Sequence, residues 1–286
     1  MKTAPMKNLP AVFLLFFSFN LNAQYYYKDI IGTNETNDIM QRMVKAKVRS
    51  VSLSSYEPDG SLSEGFFVYQ SVKMNPITLK TITRSGTGDE IQQSSLTSFF
   101  NENLQLVKSV DSSGWFVNIS AYEYNGKGRL SKTISQSIDS SGVIVVQEEH
   151  EWVYSESGRA EKMIRRKNLL LMDEVIFIYD NTGNVIEEQT MKNGKITGNV
   201  YYYYNDKNQM TDIVRYNDRA KRLLPDYMFE YSPAGDVIQK ITVPANGSDY
   251  LIWRYQYDAR GLKIKEACYN KYKDLLGKIN YDYKTP

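Results

Sequence analysis

A short repeated pattern of aromatic and turn residues constrains the fold of this chain more than any other feature. Each copy has an aromatic residue, any residue, a second aromatic residue, then Asn, Asp or Ser, two variable residues and Gly. Clear copies begin at Tyr122, Phe177, Phe229 and Tyr255, and weaker copies begin at Trp152 and Tyr202. The second aromatic residue of the series stands at Tyr124, Tyr154, Tyr179, Tyr204, Tyr231, Tyr257 and Tyr283. Such regular spacing indicates an array of one structural unit.

Each copy predicts a β-hairpin. Aromatic residues two positions apart place both rings on one face of a strand. Asn or Asp at the first turn position bonds to the backbone ahead of it, and Gly three residues later accepts a positive φ in a type I turn with a bulge. Asn208 replaces this Gly in the copy that begins at Tyr202, and Asn also tolerates the left-handed region. The unit of about 26 residues therefore predicts two strands and two turns.

These units predict an all-β fold, an antiparallel meander of hairpins over residues 48–286 that forms a solenoid or an open curled sheet. A propeller blade needs about 40 to 45 residues, so a standard propeller is excluded. Weaker copies extend upstream to Phe100 with Asn101 and to Tyr56 with Gly60. The ends of an open sheet can pair between chains, so self-association is expected.

The N-terminal residues predict an exported protein. Lys2 and Lys7 precede an apolar run from Leu9 to Leu21, which is shorter than a membrane span and typical of a signal peptide over residues 1–23. We expect cleavage between Ala23 and Gln24, no lipid anchor, no stable membrane insertion afterwards, and a periplasmic or secreted location.

Residues 24–47 are predicted to form an N-terminal cap on the array. A short helix is expected over residues 36–47, because apolar residues at helical spacing share one face there. These residues are Ile39, Met40, Met43 and Val44.

Charge and composition argue against nucleic acid as a partner. The full chain has 35 basic and 33 acidic residues, and cleavage removes two lysines, so the mature net charge is close to zero. Nucleic-acid binding draws on a basic surface, whereas only Arg165, Arg166 and Lys167 form a short basic cluster here.

The chain has no recognisable catalytic, metal or cofactor motif. His150 is the single histidine and Cys268 the single cysteine, so a multi-histidine zinc site and an internal disulfide are excluded. His150 stands among acidic neighbours, which is typical of a surface or satisfied residue. Glu187 and Glu188 occupy adjacent strand positions that face opposite ways, unlike a paired acid and base. We therefore predict that the protein is not an enzyme and uses no cofactor.

Two segments resemble the tyrosine–aspartate repeat of the Rhs family. They are Trp253-Arg254-Tyr255-Gln256-Tyr257-Asp258-Ala259-Arg260-Gly261-Leu262 and Tyr122-Glu123-Tyr124-Asn125-Gly126-Lys127-Gly128-Arg129-Leu130. The resemblance implies a spiralling sheet of hairpins, which in large family members encloses a toxin domain or takes part in cell-surface and carbohydrate contacts. The array here is much shorter than those shells, which argues against encapsulation, so the resemblance implies the fold and only an analogy for function.

The face opposite the repeated aromatic residues carries a central apolar patch. Its members are Val153, Ile176, Ile178, Tyr201 and Tyr203. In one interpretation another part of the chain covers the patch, either residues 56–83 or the N-terminal helix. In the other, the patch is an exposed ligand-binding platform, because exposed apolar patches mark binding sites and Tyr offers a rigid ring with a polar tip.

Three functional hypotheses follow from these features. The first is a non-catalytic binding module of the cell envelope or secreted space, with a carbohydrate or an envelope protein as partner. The second is a structural scaffold or spacer. The third is a hydrolase that uses two carboxylates, which requires a pair about 5 to 10 Å apart in a cleft.

Overall fold

A computed structural model describes residues 24–88, 91–113, 116–217, 220–244 and 249–286. The predicted signal peptide, residues 1–23, lies outside the described residues.

The described chain begins with one continuous helical segment. A π-helical stretch, Tyr26–Ile31, leads directly into helix α1, Gly32–Lys45. The predicted cap helix is therefore present but begins ten residues earlier than residue 36. Met40 and Met43 are buried, as expected of its apolar face, whereas Ile39 is exposed.

Eighteen strands follow in the described residues. They are β1 (Ser50–Tyr56), β2 (Phe67–Met74), β3 (Ile77–Ser85), β4 (Gln92–Phe100), β5 (Leu106–Ser113), β6 (Phe116–Tyr124), β7 (Leu130–Ile138), β8 (Ile144–Tyr154), β9 (Ala160–Lys167), β10 (Leu170–Tyr179), β11 (Val185–Lys192), β12 (Lys195–Tyr204), β13 (Met210–Asn217), β14 (Arg222–Tyr231), β15 (Val237–Thr242), β16 (Leu251–Tyr257), β17 (Lys263–Tyr269) and β18 (Leu275–Lys284).

The strands form a closed antiparallel barrel, not the solenoid or open curled sheet that the repeats predicted. Each strand from β2 to β18 pairs with its sequence neighbours, and β1 pairs with both β2 and β18. Val51 of β1 lies opposite Gln70 on one side and Tyr283 on the other. Closure satisfies the hydrogen-bonding groups that the two ends of an open sheet would expose. Every described strand therefore has two neighbours, and self-association through sheet ends loses its basis.

Alternating strand directions place the turns at two rims. The turns after even-numbered strands, which carry the repeated Tyr residues, form what we call the tyrosine rim, and the turns after odd-numbered strands form the opposite rim. In the turn that follows Tyr204, the Asn208 N–H donates to the Asn205 carbonyl oxygen and Asn208 has φ +57°. A register shift falls between Tyr203 and Tyr204. A hairpin turn with a bulge, with Asn in place of Gly at the left-handed position, forms here as predicted.

The repeated aromatic residues face the barrel lumen, as the alternating pattern predicted. Trp152, Phe177, Tyr202 and Phe229 are buried in one cluster, which the N-terminal helical segment covers from inside the barrel. Met40 packs in a second cluster with Phe100 and Leu106. A third cluster joins Met43 to Val48, Val51 and Leu262. The N-terminal segment, residues 24–47, therefore lies inside the barrel as a plug at the tyrosine rim.

Candidate functional site

Two consecutive tyrosines, Tyr26 and Tyr27, fasten the plug to the inner wall. The ring of Tyr26 lies 6.0 Å from that of Phe177 and 5.8 Å from that of Tyr202. The ring of Tyr27 lies 5.7 Å from that of Phe229. Aromatic pairs at these distances add about 0.5–1.5 kcal/mol each beyond the area they bury. The first turn of the helix is thus held by β10, β12 and β14 together.

A buried carboxylate, Glu188 of β11, binds the start of the plug. Its side chain is fully buried and accepts hydrogen bonds from the backbone N–H groups of Gln24 (2.8 Å), Tyr25 (3.1 Å) and Tyr26 (3.0 Å). The Tyr202 hydroxyl donates a fourth, at 2.8 Å. Burial raises the pKa of Glu188, and these donors partly offset the rise. The carboxylate complements the partial positive charge of the helix N-terminus.

A second charged group joins the plug to β8. His150 Nδ1 lies 2.6 Å from the Asp29 carboxylate, and its Nε2 lies 2.9 Å from Glu148 Oε1. Burial lowers the pKa of His150, but the two carboxylates outweigh burial and raise it to about 9. The imidazole is therefore held as a cation between wall and plug. It lies in the lumen as a satisfied residue and not at the outer surface.

The far end of the plug has its own polar anchors. The Arg42 guanidinium donates to Asp236 Oδ1 at 2.6 Å and to the Gly261 carbonyl oxygen at 2.8 Å. The Asn37 side-chain oxygen accepts from the Leu106 N–H at 2.8 Å. Contacts to β5, the β14–β15 turn and the β16–β17 turn thus spread across the barrel, and the plug is anchored along its whole length.

The predicted apolar patch lies on the outer wall of the barrel. Its five residues, Val153, Ile176, Ile178, Tyr201 and Tyr203, occupy strand positions that alternate with the lumen-facing aromatic residues. Residues 56–83 form part of β1–β3 and the turn between β1 and β2, while the helix lies inside the barrel, so neither covers the patch as one interpretation expected. Tyr203 is 49% exposed and the other four are half-buried.

A second apolar surface, which the sequence analysis did not single out, lies on the opposite rim. Four consecutive hairpin turns, from β7–β8 to β13–β14, carry exposed aliphatic side chains at their tips. We call this set the aliphatic arc, and its members are Val143, Ile144, Val145, Val146, Leu169, Leu170, Leu171, Ile196 and Leu223. Leu169 is 76% exposed. Exposed apolar residues are ordinary when scattered, but a contiguous set marks a contact surface.

Basic side chains accompany the aliphatic arc. They lie in the same turns or at the strand ends beside them, and they are Lys167, Lys192, Lys195, Lys221 and Arg222. The β1–β2 turn on the same rim instead carries Glu57, Asp59 and Glu64. The opposite rim is thus aliphatic along one arc, where basic residues accompany the turns from β9 to β14 and Asp139 stands in the β7–β8 turn, and it is acidic at the β1–β2 turn.

The outer wall between the rims carries ion pairs. Lys132 Nζ lies 3.2 Å from Glu149 Oε2, and Arg166 Nη1 lies 3.0 Å from Glu149 Oε1 and 2.8 Å from Glu151 Oε2. Lys162 pairs with Glu174 on the neighbouring strand at 3.2 Å. Charged side chains that pair with each other between strands are typical of a wall that faces water.

We searched the described residues for metal-ligating, nucleophilic and paired acidic side chains. They contain no cluster of metal-ligating side chains. The lone thiol, Cys268, is buried, and burial raises its pKa to about 12, which is unfavourable for a nucleophile. Glu187 bonds to Asn199 on the outer wall while its neighbour Glu188 faces the lumen, so the two carboxylates diverge as predicted. No helix in the described part of the chain is long and apolar enough to cross a membrane.

Comparison with solved structures finds likenesses at low sequence identity. No family model and no curated protein matches the chain, and the resemblance to the Rhs family stays a prediction. A porin-like protein from Bacteroides uniformis is 11% identical over 83% of this chain and 96% of that chain, with a TM-score of 0.39. A porin-like protein from Bacteroides vulgatus is 13% identical over 83% of this chain and 98% of that chain, with a TM-score of 0.21. A chain of the Photorhabdus luminescens Tc holotoxin pore is 11% identical over 73% of this chain but only 16% of its own length, with a TM-score of 0.23. With TM-scores below 0.5, none of these likenesses assigns a function to this chain.

Proposed function

We propose that this protein is a non-catalytic docking module of the cell envelope, which binds the surface of an anionic phospholipid membrane through the aliphatic arc. The observation that carries the proposal is the arc itself, in which four neighbouring hairpin tips present exposed aliphatic side chains beside basic ones. Aliphatic tips that enter the headgroup region, with lysine and arginine beside them, are a common arrangement for peripheral membrane binding.

Charge supports a lipid surface as the occupant. Five basic residues line the arc, each worth about 1 kcal/mol near an anionic membrane, and their long side chains reach phosphate groups while the neighbouring aliphatic tips are buried. The acidic β1–β2 turn would tilt the barrel so that the arc, and not the whole rim, meets the membrane. The charged outer wall suits a barrel that remains in water beside the bilayer.

Vesicle flotation tests this function. The chain beginning at Gln24 should float with vesicles of phosphatidylcholine and phosphatidylglycerol, and much less with phosphatidylcholine alone. The triple variant Leu169→Ser, Leu170→Ser, Leu171→Ser should bind at least about tenfold more weakly, because burying one leucyl side chain is worth roughly 1.5–3 kcal/mol. The double variant Lys192→Glu, Lys195→Glu should bind more weakly and with less dependence on salt.

A matched control comes from the same rim. Leu62 is exposed at the acidic β1–β2 turn, so Leu62→Ser should leave vesicle binding unchanged. Equal binding by the wild type and the leucine triple variant would contradict the proposal, as would equal binding to both kinds of vesicle.

The outer-wall patch supports a second candidate function, binding of carbohydrate. Tyr201 and Tyr203 lie two positions apart on the outward face of β12. The Asn199 amide donates to the Tyr201 hydroxyl at 3.2 Å. An exposed tyrosine ring with a polar tip suits a sugar face. A glycan array should detect binding by the chain beginning at Gln24 and lose it in the double variant Tyr201→Ala, Tyr203→Ala. An array without signal for the wild type would reject this candidate while leaving the membrane proposal standing.

A further inference from the structure

The sequence and the structure converge on Gln24. The signal-peptide pattern predicts cleavage between Ala23 and Gln24, which makes Gln24 the first residue of the mature chain. The structure places the backbone nitrogen of the same residue inside the barrel, 2.8 Å from Glu188 Oε1, and Gln24 is only 3% exposed. The predicted end of the leader thus coincides with the residue that a buried carboxylate holds.

The site around Gln24 suits an amino group better than a peptide nitrogen. A peptide N–H supplies one proton and no charge, whereas an α-ammonium group supplies three protons and a positive charge. Glu188 is fully buried, and in such a place an uncompensated carboxylate is costly and an opposite charge at hydrogen-bond distance stabilises it. The charge of a new chain end would be placed against this carboxylate without movement of the backbone.

The backbone of Gln24 also favours a chain end. Its φ of +97° lies in a region that residues with a side chain rarely adopt, because the preceding carbonyl oxygen then crowds the Cβ atom. A chain that begins at Gln24 has no preceding carbonyl group and carries no such strain. The side chain is held as well, since its amide donates to Asp226 Oδ2 at 2.5 Å.

We propose that Gln24 is the mature N-terminus and that its α-ammonium group forms a buried ion pair with Glu188, so that removal of the leader completes the plug. Hydrolysis of the Ala23–Gln24 bond by a signal peptidase consumes one water molecule, breaks the C–N bond, leaves a carboxylate on Ala23 and frees the amine of Gln24. This assigns Glu188 a role in maturation that is separate from docking at the opposite rim.

A double-mutant cycle measures the ion pair. Four chains are compared by urea unfolding, beginning at Gln24 or at Leu21, each with Glu188 or with Glu188→Gln. The three added residues move the charged chain end away from Glu188. With Glu188 present, the addition should lower the folding equilibrium constant at least about tenfold, the equivalent of one pKa unit of differential interaction. In the Glu188→Gln background most of that loss should disappear, because the charge that the amine pairs with is absent.

A lumen carboxylate outside the pair provides the control. Asp173 accepts a hydrogen bond from the Arg165 guanidinium, so Asp173→Asn should leave the effect of the added residues as large as in the wild type. Equal effects of the addition in the Glu188 and Glu188→Gln backgrounds would overturn the proposal.

Mass spectrometry gives a test that does not depend on the stability of any variant. The exported protein should begin at Gln24 with an uncyclised glutamine, and reductive methylation of the native protein should spare this amine until the protein is unfolded. A different first residue, a pyroglutamyl end formed with loss of ammonia, or full methylation in the native state would each overturn the ion pair.

Discussion

The phenolic hydroxyl of Tyr204 donates a hydrogen bond to the carbonyl oxygen of Val185 over 2.8 Å. Val185 is the first residue of β11, so the bond joins the end of one repeat to the preceding one. The same bond, at 2.6–2.9 Å, recurs from Tyr124 to Leu106, Tyr154 to Leu130, Tyr179 to Ala160, Tyr231 to Met210, Tyr257 to Val237 and Tyr283 to Lys263. The second aromatic position of the repeat is therefore Tyr and not Phe because its hydroxyl has a constant partner.

Tyr204→Phe should lower the free energy of unfolding by about 1 kcal/mol, since it removes one hydrogen bond and leaves a carbonyl group without this donor. Urea unfolding measures the change. Tyr203→Phe on the outer wall is the matched control and should alter stability by less than about 0.5 kcal/mol. Equal losses in the two variants would contradict the structural role of the hydroxyl at position 204.

One turn of the tyrosine rim carries Leu where most copies carry Gly. Leu104 has φ +58°, and its N–H donates to the Asn101 carbonyl oxygen as in the other turns. Leu104→Gly should raise the free energy of unfolding by about 1 kcal/mol, because the left-handed region costs a residue with a side chain roughly that much. Gly183 has φ +93° at the equivalent position, so Gly183→Ala should lower the free energy of unfolding. A destabilised Leu104→Gly variant would mean that packing of the leucine outweighs its strain.

The two sides of helix α1 should respond differently to truncation. The side chain of Met40 is completely buried between helix α1 and the barrel wall, whereas that of Ile39 is exposed. Met40→Ala should cost about 2–5 kcal/mol through lost packing and a cavity, and Ile39→Ala less than about 0.5 kcal/mol. Thermal or urea unfolding compares them. Similar costs would show that the helix does not pack in the lumen as described.

The hairpins were predictable because their determinants are local. Alternating aromatic residues such as Trp152 and Tyr154 specify a strand face, and Asn or Gly three residues into the turn specifies its closure, so strand positions and turn type follow from about ten consecutive residues. The outward direction of Tyr201 and Tyr203 follows from the same alternation.

Closure and the plug were not predictable from local patterns. Barrel closure depends on β1, whose serine-rich sequence keeps only a weak copy of the repeat at Tyr56, and on its pairing with β18 more than 200 residues away. The run Tyr25, Tyr26 and Tyr27 lies ahead of the predicted helix, yet Tyr26 and Tyr27 belong to the helical segment and pack against the inner wall. Glu188 looked like one of two solvated carboxylates, and only the fold brings it to Gln24. The exposed run Leu169, Leu170 and Leu171 was visible in the sequence, and its position at a hairpin tip is the signal that could have found the aliphatic arc.

The link between His150 and Asp29 should make the stability of the barrel depend on pH. The pKa of His150 is raised to about 9 in the folded protein, against about 6.5 when unfolded. A raised folded pKa means that the stabilisation is complete below about pH 6.5 and is lost as pH rises through about 9. Its full size is on the order of 3 kcal/mol.

The groups around the imidazole explain why the pKa of His150 is raised and not lowered. Asp29 faces it from the plug and Glu148 from β8, and both are acidic, while the edge of the Tyr25 ring lies against it at 5.1 Å between ring centroids. The cation of Arg165 lies beyond Glu148, at 3.7 Å from that carboxylate. The two carboxylates in direct contact outweigh the more distant guanidinium, so protonation is favoured in the folded state.

The test compares the free energy of unfolding of the wild type and of His150→Gln at pH 6 and at pH 9.5. Both proteins contain the same buried tyrosines, so the difference between them reports the titration of His150 alone. The variant should be less stable by on the order of 3 kcal/mol at the lower pH. The difference should shrink at the higher pH because the wild type then loses the imidazolium that joins β8 to the plug. A difference that stays constant between the two pH values would mean that His150 contributes packing and a neutral hydrogen bond but no charge to the anchoring of the helix.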